Sequence, residues 1–208
     1  MWVVKLGGSL ACSDHLRDWL RLLANTRSLV IVPGGGPFAD QVRQAQQQCG
    51  FDDSTAHHMA LLAMEQYGAM LCGLQPGLAS ATSIQQLQAV LARGETPVWM
   101  PTAMVMADPA IAHSWEVTSD SLAAWLGGRI GAEQLLLVKS LSLDSPSRSI
   151  EELTQSAVVD NRLGDYLRRL AIPAWVMAAC DHAHFDELRR GRTDVATRVI
   201  VSPADSTE

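Results

Sequence analysis

Short runs of consecutive apolar residues alternate with longer amphipathic stretches along the chain, and that alternation predicts its elements. Residues 2–6, 29–32, 135–138 and 174–179 are almost wholly apolar, as buried strands are. Shorter strand segments are expected at 78–81, 97–101 and 199–201. Residues 12–25 read as a helix capped by Ser13, with Leu16, Leu20 and Leu23 on one face. Residues 38–48, 84–92 and 162–170 read as further helices, as does a segment from 119 or 120 to 126. Residues 54–71 form a long helix opened by a Ser/Thr cap, and 186–190 a helical turn. Residues 140–149 are polar and turn-like, and 202–208 are expected to fray.

The strands are continuous apolar runs rather than polar–apolar alternations. Together with the strand–helix succession, this predicts an α/β fold: a three-layer αβα sandwich around a mostly parallel central sheet. No repeat or linker interrupts the pattern, and 208 residues suit one domain.

Composition narrows the function classes. Hydrophobic residues make up 48% and charged ones 18% of the chain, as in ordinary globular proteins. A net charge of -6 argues against a broad nucleic-acid surface, which needs a basic excess to neutralise phosphates. It leaves an anionic small substrate open, because a local lysine and a few N–H groups outweigh distant surface charge. Cys12, Cys49, Cys72 and Cys180 are scattered, with no C-x-x-C pair, so neither a zinc site nor a disulfide framework is expected. No apolar run is long enough for a membrane span, and the first residues lack the pattern of a signal peptide. A cytoplasmic protein without nucleic-acid or membrane partners is the expectation.

Two glycine turns carry the chemistry. Lys5-Leu6-Gly7-Gly8-Ser9 follows the first strand, and Pro33-Gly34-Gly35-Gly36-Pro37 lies between the second strand and a helix. Glycines there let backbone N–H groups approach an anion, and a helix N-terminus adds partial positive charge. A single glycine turn after a strand is more often only a tight connection. Two of them, one preceded by a lysine, point to phosphate. Neither is a G-x-x-x-x-G-K-[ST] loop, and neither fits the G-x-G-x-x-G dinucleotide fingerprint.

V-V-K-L-G-G-S-L, then V-I-V-P-G-G-G-P-F-A-D, then W-E-V-T-S-D-S-L-A-A-W-L, in that order, resemble the amino-acid-kinase superfamily. That superfamily includes acetylglutamate, aspartate, uridylate and isopentenyl phosphate kinases. The resemblance implies a carbamate-kinase-like fold, with an acceptor lobe over about residues 1–130 and a nucleotide lobe over about 131–203. It implies ATP and Mg2+ as cofactors, a small-molecule phosphate acceptor and a homodimer. It also assigns roles: Lys5, Gly7, Gly8 and Ser9 meet the transferring phosphoryl group, Gly34, Gly35 and Gly36 hold the acceptor, and Asp120 orients Lys5. Residues 57–68 and 115–125, with the short chain, look most like the branch that phosphorylates an aminomethylfuran methyl phosphate in methanofuran-type cofactor biosynthesis.

Other residues are less decided. Ser119 or Asp120 would also serve as a plain helix cap. Lys139, with Ser140, ends an apolar strand and either reaches nucleotide phosphates or sits in solvent. Many relatives have a V-D-G turn there; this chain reads Lys139-Ser140-Leu141. A later strand lysine of some relatives is missing, and Ala196-Thr197 replaces a Gly-Thr pair. Those departures keep open a non-catalytic binding protein, beside isopentenyl phosphate and acylamino-acid kinases. His57 or His58 is a candidate for the acceptor phosphate, although such histidines are usually surface residues. Glu65 is a candidate for a substrate ammonium. His182 and His184 hint at a metal cluster but lack a third ligand of recognisable spacing, so no protein-bound metal is assigned.

Overall fold

The computed structural model describes residues 1–170 and 172–202; residues 203–208, expected to fray, lie outside them. Eight strands form one sheet: β1 (Trp2–Leu6), β2 (Leu29–Pro33), β3 (Leu78–Ala81), β4 (Thr96–Trp99), β5 (Gln134–Lys139), β6 (Ser147–Ser149), β7 (Ala174–Ala178) and β8 (Thr197–Ile200). Their order is β3-β4-β2-β1-β5-β7-β8-β6, and every pairing is parallel except β7 with β8. Parallel neighbours need long crossovers, which the helices supply. These are α1 (Leu16–Ala24), α2 (Gly36–Cys49), α3 (Asp53–Leu74), α4 (Ile84–Ala92), α5 (Thr102–Met106), α6 (Ser119–Ile130), α7 (Ile150–Gln155), α8 (Leu163–Leu170) and α9 (Phe185–Arg189).

The central strands are buried on both faces because consecutive side chains feed two different cores. Val3, Leu135 and Leu137 pack with Leu122 and Leu126 of α6 and Leu163 and Leu167 of α8. Val4, Leu136 and Val138 pack with Trp19, Leu20 and Leu23 of α1 and Phe185 of α9. This is the expected three-layer sandwich. No described helix is long and apolar enough to cross a membrane.

Several elements differ from expectation. The helix foreseen at 12–25 begins only at Leu16; before it, Gly8–Cys12 forms a 3-10 segment that keeps the chain close to the first glycine turn. The α3 cap is Asp52, whose Oδ1 accepts from Thr55 N at 2.7 Å, not a Ser or Thr. The polar stretch 140–149 contains the short edge strand β6, pinned by pairing to β8. Just after it, Ser149 and Glu152 form a reciprocal capping box that opens α7, a helix the periodicity was too short to reveal. The short α5 was likewise not foreseen.

Candidate active site

β1, β2 and β5 run side by side and parallel, so their C-terminal ends and the turns that follow lie together. The two glycine turns interlock there. A Cβ on Gly8 would run into Gly36 N and Cα, and one on Gly34 would run into Gly8 N. Backbone against backbone cannot yield, so only glycine fits at either place. Gly7 N donates to Val138 O at 3.1 Å and Gly34 N to Leu6 O at 2.8 Å. Those two N–H groups are therefore spent on the scaffold rather than available to an anion. The N–H groups of Gly8, Gly35 and Gly36 make no backbone bond among the described residues. Gly36, at φ 57, opens the fourteen-residue helix α2, whose positive end faces the same space.

Lys5 enters from the end of β1 and Lys139 from the end of β5, and both meet Asp120 in the first turn of α6. Lys5 Nζ lies 2.9 Å from Asp120 Oδ1, and Lys139 Nζ 2.7 Å from Oδ2. Their side chains are 6%, 13% and 4% exposed for Lys5, Lys139 and Asp120. Lys139, which the sequence left between solvent and phosphate, is thus buried and paired. Burial alone would raise the Asp120 carboxyl, but the two ammonium groups prevail and hold it well below its usual range. Burial first, then the Lys5 charge, bring Lys139 down to about 8, against the pull of Asp120. One carboxylate between two lysines leaves a net positive charge.

Asp160 was not singled out from the sequence, yet it holds this arrangement in place. Its Oδ2 accepts from Thr118 N at 2.9 Å, Thr118 Oγ1 at 2.7 Å and Ser121 N at 3.0 Å, and its Oδ1 accepts from Ser121 Oγ and Leu163 N. One carboxylate therefore satisfies the free N–H groups at the starts of both α6 and α8. The α6 cap is Thr118, neither Ser119 nor Asp120. An aspartate three residues ahead of an apolar helix was the signal available; its partner at 118–121 was invisible without the fold.

These groups line a cavity of about 530 Å³ that also takes in Ser9, Ser119 and His57. His57 is buried, stacks on His113 with centroids 4.9 Å apart, and has its Nε2 without a hydrogen-bond partner. Burial, then His113, push its ring below the usual histidine range. Leu61, Met64 and Trp115 give the cavity an apolar wall; Asp40 and Arg43 stand at its rim, 3.1 Å apart.

Three expected substrate residues are outside this lining: Gly34, in the scaffold of the turns, and two on α3. His58 is exposed and outside the cavity lining, because one helical step turns it away from His57. Glu65 accepts from Thr102 N at 2.9 Å, anchoring α5, and does not line the cavity. Ser140 is also outside it but joins Ser9, the two hydroxyls 3.1 Å apart. A second cavity of about 320 Å³ opens beyond Lys139, lined by Pro146, Ala178, Asp181 and Thr197 among others. Thr197 Oγ1 donates to Ser145 O at 2.6 Å and closes one of its sides.

A family profile described as "Amino acid kinase family" matches residues 1–154. The chain belongs to the amino acid kinase family. It is 27% identical over 217 residues to the [5-(aminomethyl)furan-3-yl]methyl phosphate kinase of Methanocaldococcus jannaschii, covering 96% of this chain and 98% of that protein. Its fold matches the uridylate kinase of Archaeoglobus fulgidus at a TM-score of 0.72 and 17% identity, over 96% of this chain and 99% of that one. It also matches the aspartate kinase of Synechocystis at a TM-score of 0.66 and 16% identity, over 99% of this chain and 40% of that one. As a family member the chain is an ATP-dependent phosphotransferase acting on a small molecule.

Proposed function

We propose that this kinase transfers the γ-phosphoryl group of ATP to [5-(aminomethyl)furan-3-yl]methyl phosphate, giving the diphosphate. The observation that carries the reading is the buried Lys5–Asp120–Lys139 triad beside two interlocked glycine turns. A buried positive excess is costly until an anion neutralises it, and a polyphosphate does so. The choice of acceptor is supported by the end-to-end similarity to the archaeal aminomethylfuran phosphate kinase. The mixed lining agrees with it: an apolar wall of Leu61, Met64 and Trp115 suits a furan ring, and Asp40 offers a carboxylate to an ammonium. Gly35, Gly36 and His57 then take the acceptor phosphate.

In this reading an ionised oxygen of the acceptor phosphate attacks the γ-phosphorus. The bond from that phosphorus to the β–γ bridging oxygen breaks, and ADP leaves with the electron pair. The acceptor is already an anion, so no general base is needed. Transfer through a loose transition state asks mainly for alignment and charge neutralisation. Lys5 and the Gly8 N–H neutralise the transferring oxygens, Lys139 neutralises the ADP side, and Asp120 keeps both lysines charged and aimed. Thermodynamically the gain lies in charge that is already positioned before reaction. The second cavity, beyond Lys139, takes the adenosine.

Magnesium fits this end of the protein only as an ion carried in with the nucleotide. Asp120 is held by two lysines and Asp160 by two helix starts, so neither carboxylate is free to bind it. Phosphate oxygens and water suit its octahedral preference, and it would neutralise part of the polyphosphate charge.

The test is ADP release from Mg-ATP with and without the aminomethylfuran monophosphate, beside isopentenyl phosphate and acetylglutamate. Release that depends on the first acceptor and collapses in Lys5→Ala supports the reading. Turnover with only one of the others reassigns the acceptor; none with any of the three overturns the proposed reading.

A further inference from the structure

On the α1 side of the sheet, away from the triad, His15, Asp18 and His182 converge. His15 sits at the α1 N-terminus and Asp18 one turn further along it, while His182 lies in the 3-10 segment Ala179–His184 that follows β7. One ligand atom from each lies within 4.8 Å of the other two. All three are half-buried, and the buried Trp19 holds α1 against the segment that carries His182. Trp19, between the two ligands of α1 and the sheet, donates from Nε1 to Ala179 O at 2.8 Å. Its ring also packs against His182 and Phe185, at 6.5 Å and 5.7 Å between centroids.

The local hydrogen bonding leaves ligand atoms unclaimed. Asp18 Oδ1 is taken by Arg21 NH1 at 3.2 Å, which turns Oδ2 toward His182 Nε2, 3.9 Å away. That separation is too long for a hydrogen bond and suits two atoms that share a third partner. His182 Nδ1 is buried with no partner, so neither ring nitrogen makes a hydrogen bond among the described residues. The His15 and His182 rings are tilted by 37° with centroids 5.9 Å apart, not stacked. His184, which the sequence had paired with His182, turns instead to Glu187, 3.3 Å away.

We infer that His15, Asp18 and His182 form a binding site for a single divalent transition-metal ion, clasping α1 to the segment after β7. Two imidazoles and one carboxylate suit Zn2+, Co2+ or Ni2+, whereas magnesium and calcium prefer all-oxygen sets. Ligands about 2.0–2.2 Å from such an ion lie about 3.3 Å apart. The three side chains therefore draw in by about 1 Å or less, a rotamer adjustment that their partial exposure allows. Arg21 on the second carboxylate oxygen orients Asp18 as a one-oxygen ligand. The remaining coordination positions face solvent and take water. The site is separate from the magnesium that accompanies the nucleotide. Yet Asp181, next to His182, lines the second cavity, so the ion braces one wall of it.

The three ligands come together only in the folded chain, so metal binding is also folding free energy. The experiment is titration of chelator-treated protein with Co2+, followed by its visible absorption and by thermal unfolding. One equivalent of a saturable Co2+ band is expected, displaced by Zn2+ and unaffected by millimolar Mg2+. A saturating ion raises Tm by about 5 °C or more. His182→Ala and His15→Gln each weaken Co2+ binding by at least ~100-fold. His184→Ala leaves it unchanged. His15→Gln, a surface change at a helix start, folds normally in chelator and so keeps the test valid should His182→Ala misfold. Absence of a one-equivalent band, or a band that survives His15→Gln, overturns the inference.

Discussion

Lys139 Nζ sits 2.7 Å from Asp120 Oδ2, and the other oxygen of that carboxylate faces Lys5 at 2.9 Å. The two lysines come from strands that are hydrogen-bonded neighbours, while the carboxylate comes from α6, the helix that precedes β5 and packs against both strands. The relationship shows how a chain without the late lysine of some relatives still brings two cations to one cavity.

Removing either lysine should therefore uncouple charge from fold. Lys5→Met is expected to lower kcat by about 10²–10³-fold, the usual cost of one preorganised donor to a transition state. Asp120 keeps Lys139 as a partner, so the protein stays folded. Circular dichroism and steady-state kinetics on the same preparation check both halves.

Activity should fall on the alkaline side while stability does not. Lys139 is lowered to about 8 in the native state, so kcat/KM of the free enzyme declines as pH rises through that value. Bound polyphosphate favours the charged lysine, so the limb in kcat lies at higher pH. Stability runs the other way: the unfolded chain holds this proton more tightly, so between about 8 and 10.5 Lys139 contributes a rise in stability with pH. Lys139→Arg, whose charge persists throughout, should remove the alkaline limb. Parallel pH profiles of rate and urea midpoint measure this; a wild-type limb that persists in the arginine variant refutes it.

Asp160→Ala strips two helix starts of their acceptor at once. A loss of about 2–4 kcal/mol in urea unfolding is expected. Activity in the folded fraction should also drop, because Asp120 rides on the first turn of α6. Asp160→Asn, which keeps one acceptor oxygen, should recover part of the stability.

Gly8→Ala places a methyl group against Gly36 N and Cα. Separating two backbones costs on the order of 1–3 kcal/mol or more and spreads the N–H groups that face the cavity. Loss of turnover with a lowered Tm is the expected result, whereas Gly73→Ala, in α3 with open space around it, should spare both.

On α3, His57→Ala should raise the acceptor KM, and the exposed neighbour His58→Ala should leave both kinetic constants unchanged. Glu65→Gln removes the charged acceptor at the start of α5 and should cost about 1 kcal/mol without an acceptor effect. Measuring KM for acceptor and for ATP separately distinguishes these outcomes.

The layered fold was legible because its signals are local. Unbroken apolar runs such as Leu135–Leu137 mark buried parallel strands wherever they occur, and a glycine turn after a strand is a feature of the chain alone. Lys5, the two glycine turns and Asp120 could be named from such signals together with the family resemblance. What they touch could not. Whether Lys139 met solvent or Asp120 depended on β5 lying beside β1, a pairing between residues far apart in sequence. Asp160 reads as an ordinary cap until α6 and α8 are brought start to start. The separation of His57 from His58, and the diversion of Glu65 to α5, followed from which side of one helix the cavity occupies. Composition and periodicity are properties of neighbours along the chain; burial, charge pairing and the direction of a side chain belong to neighbours across the fold, and only packing decides them.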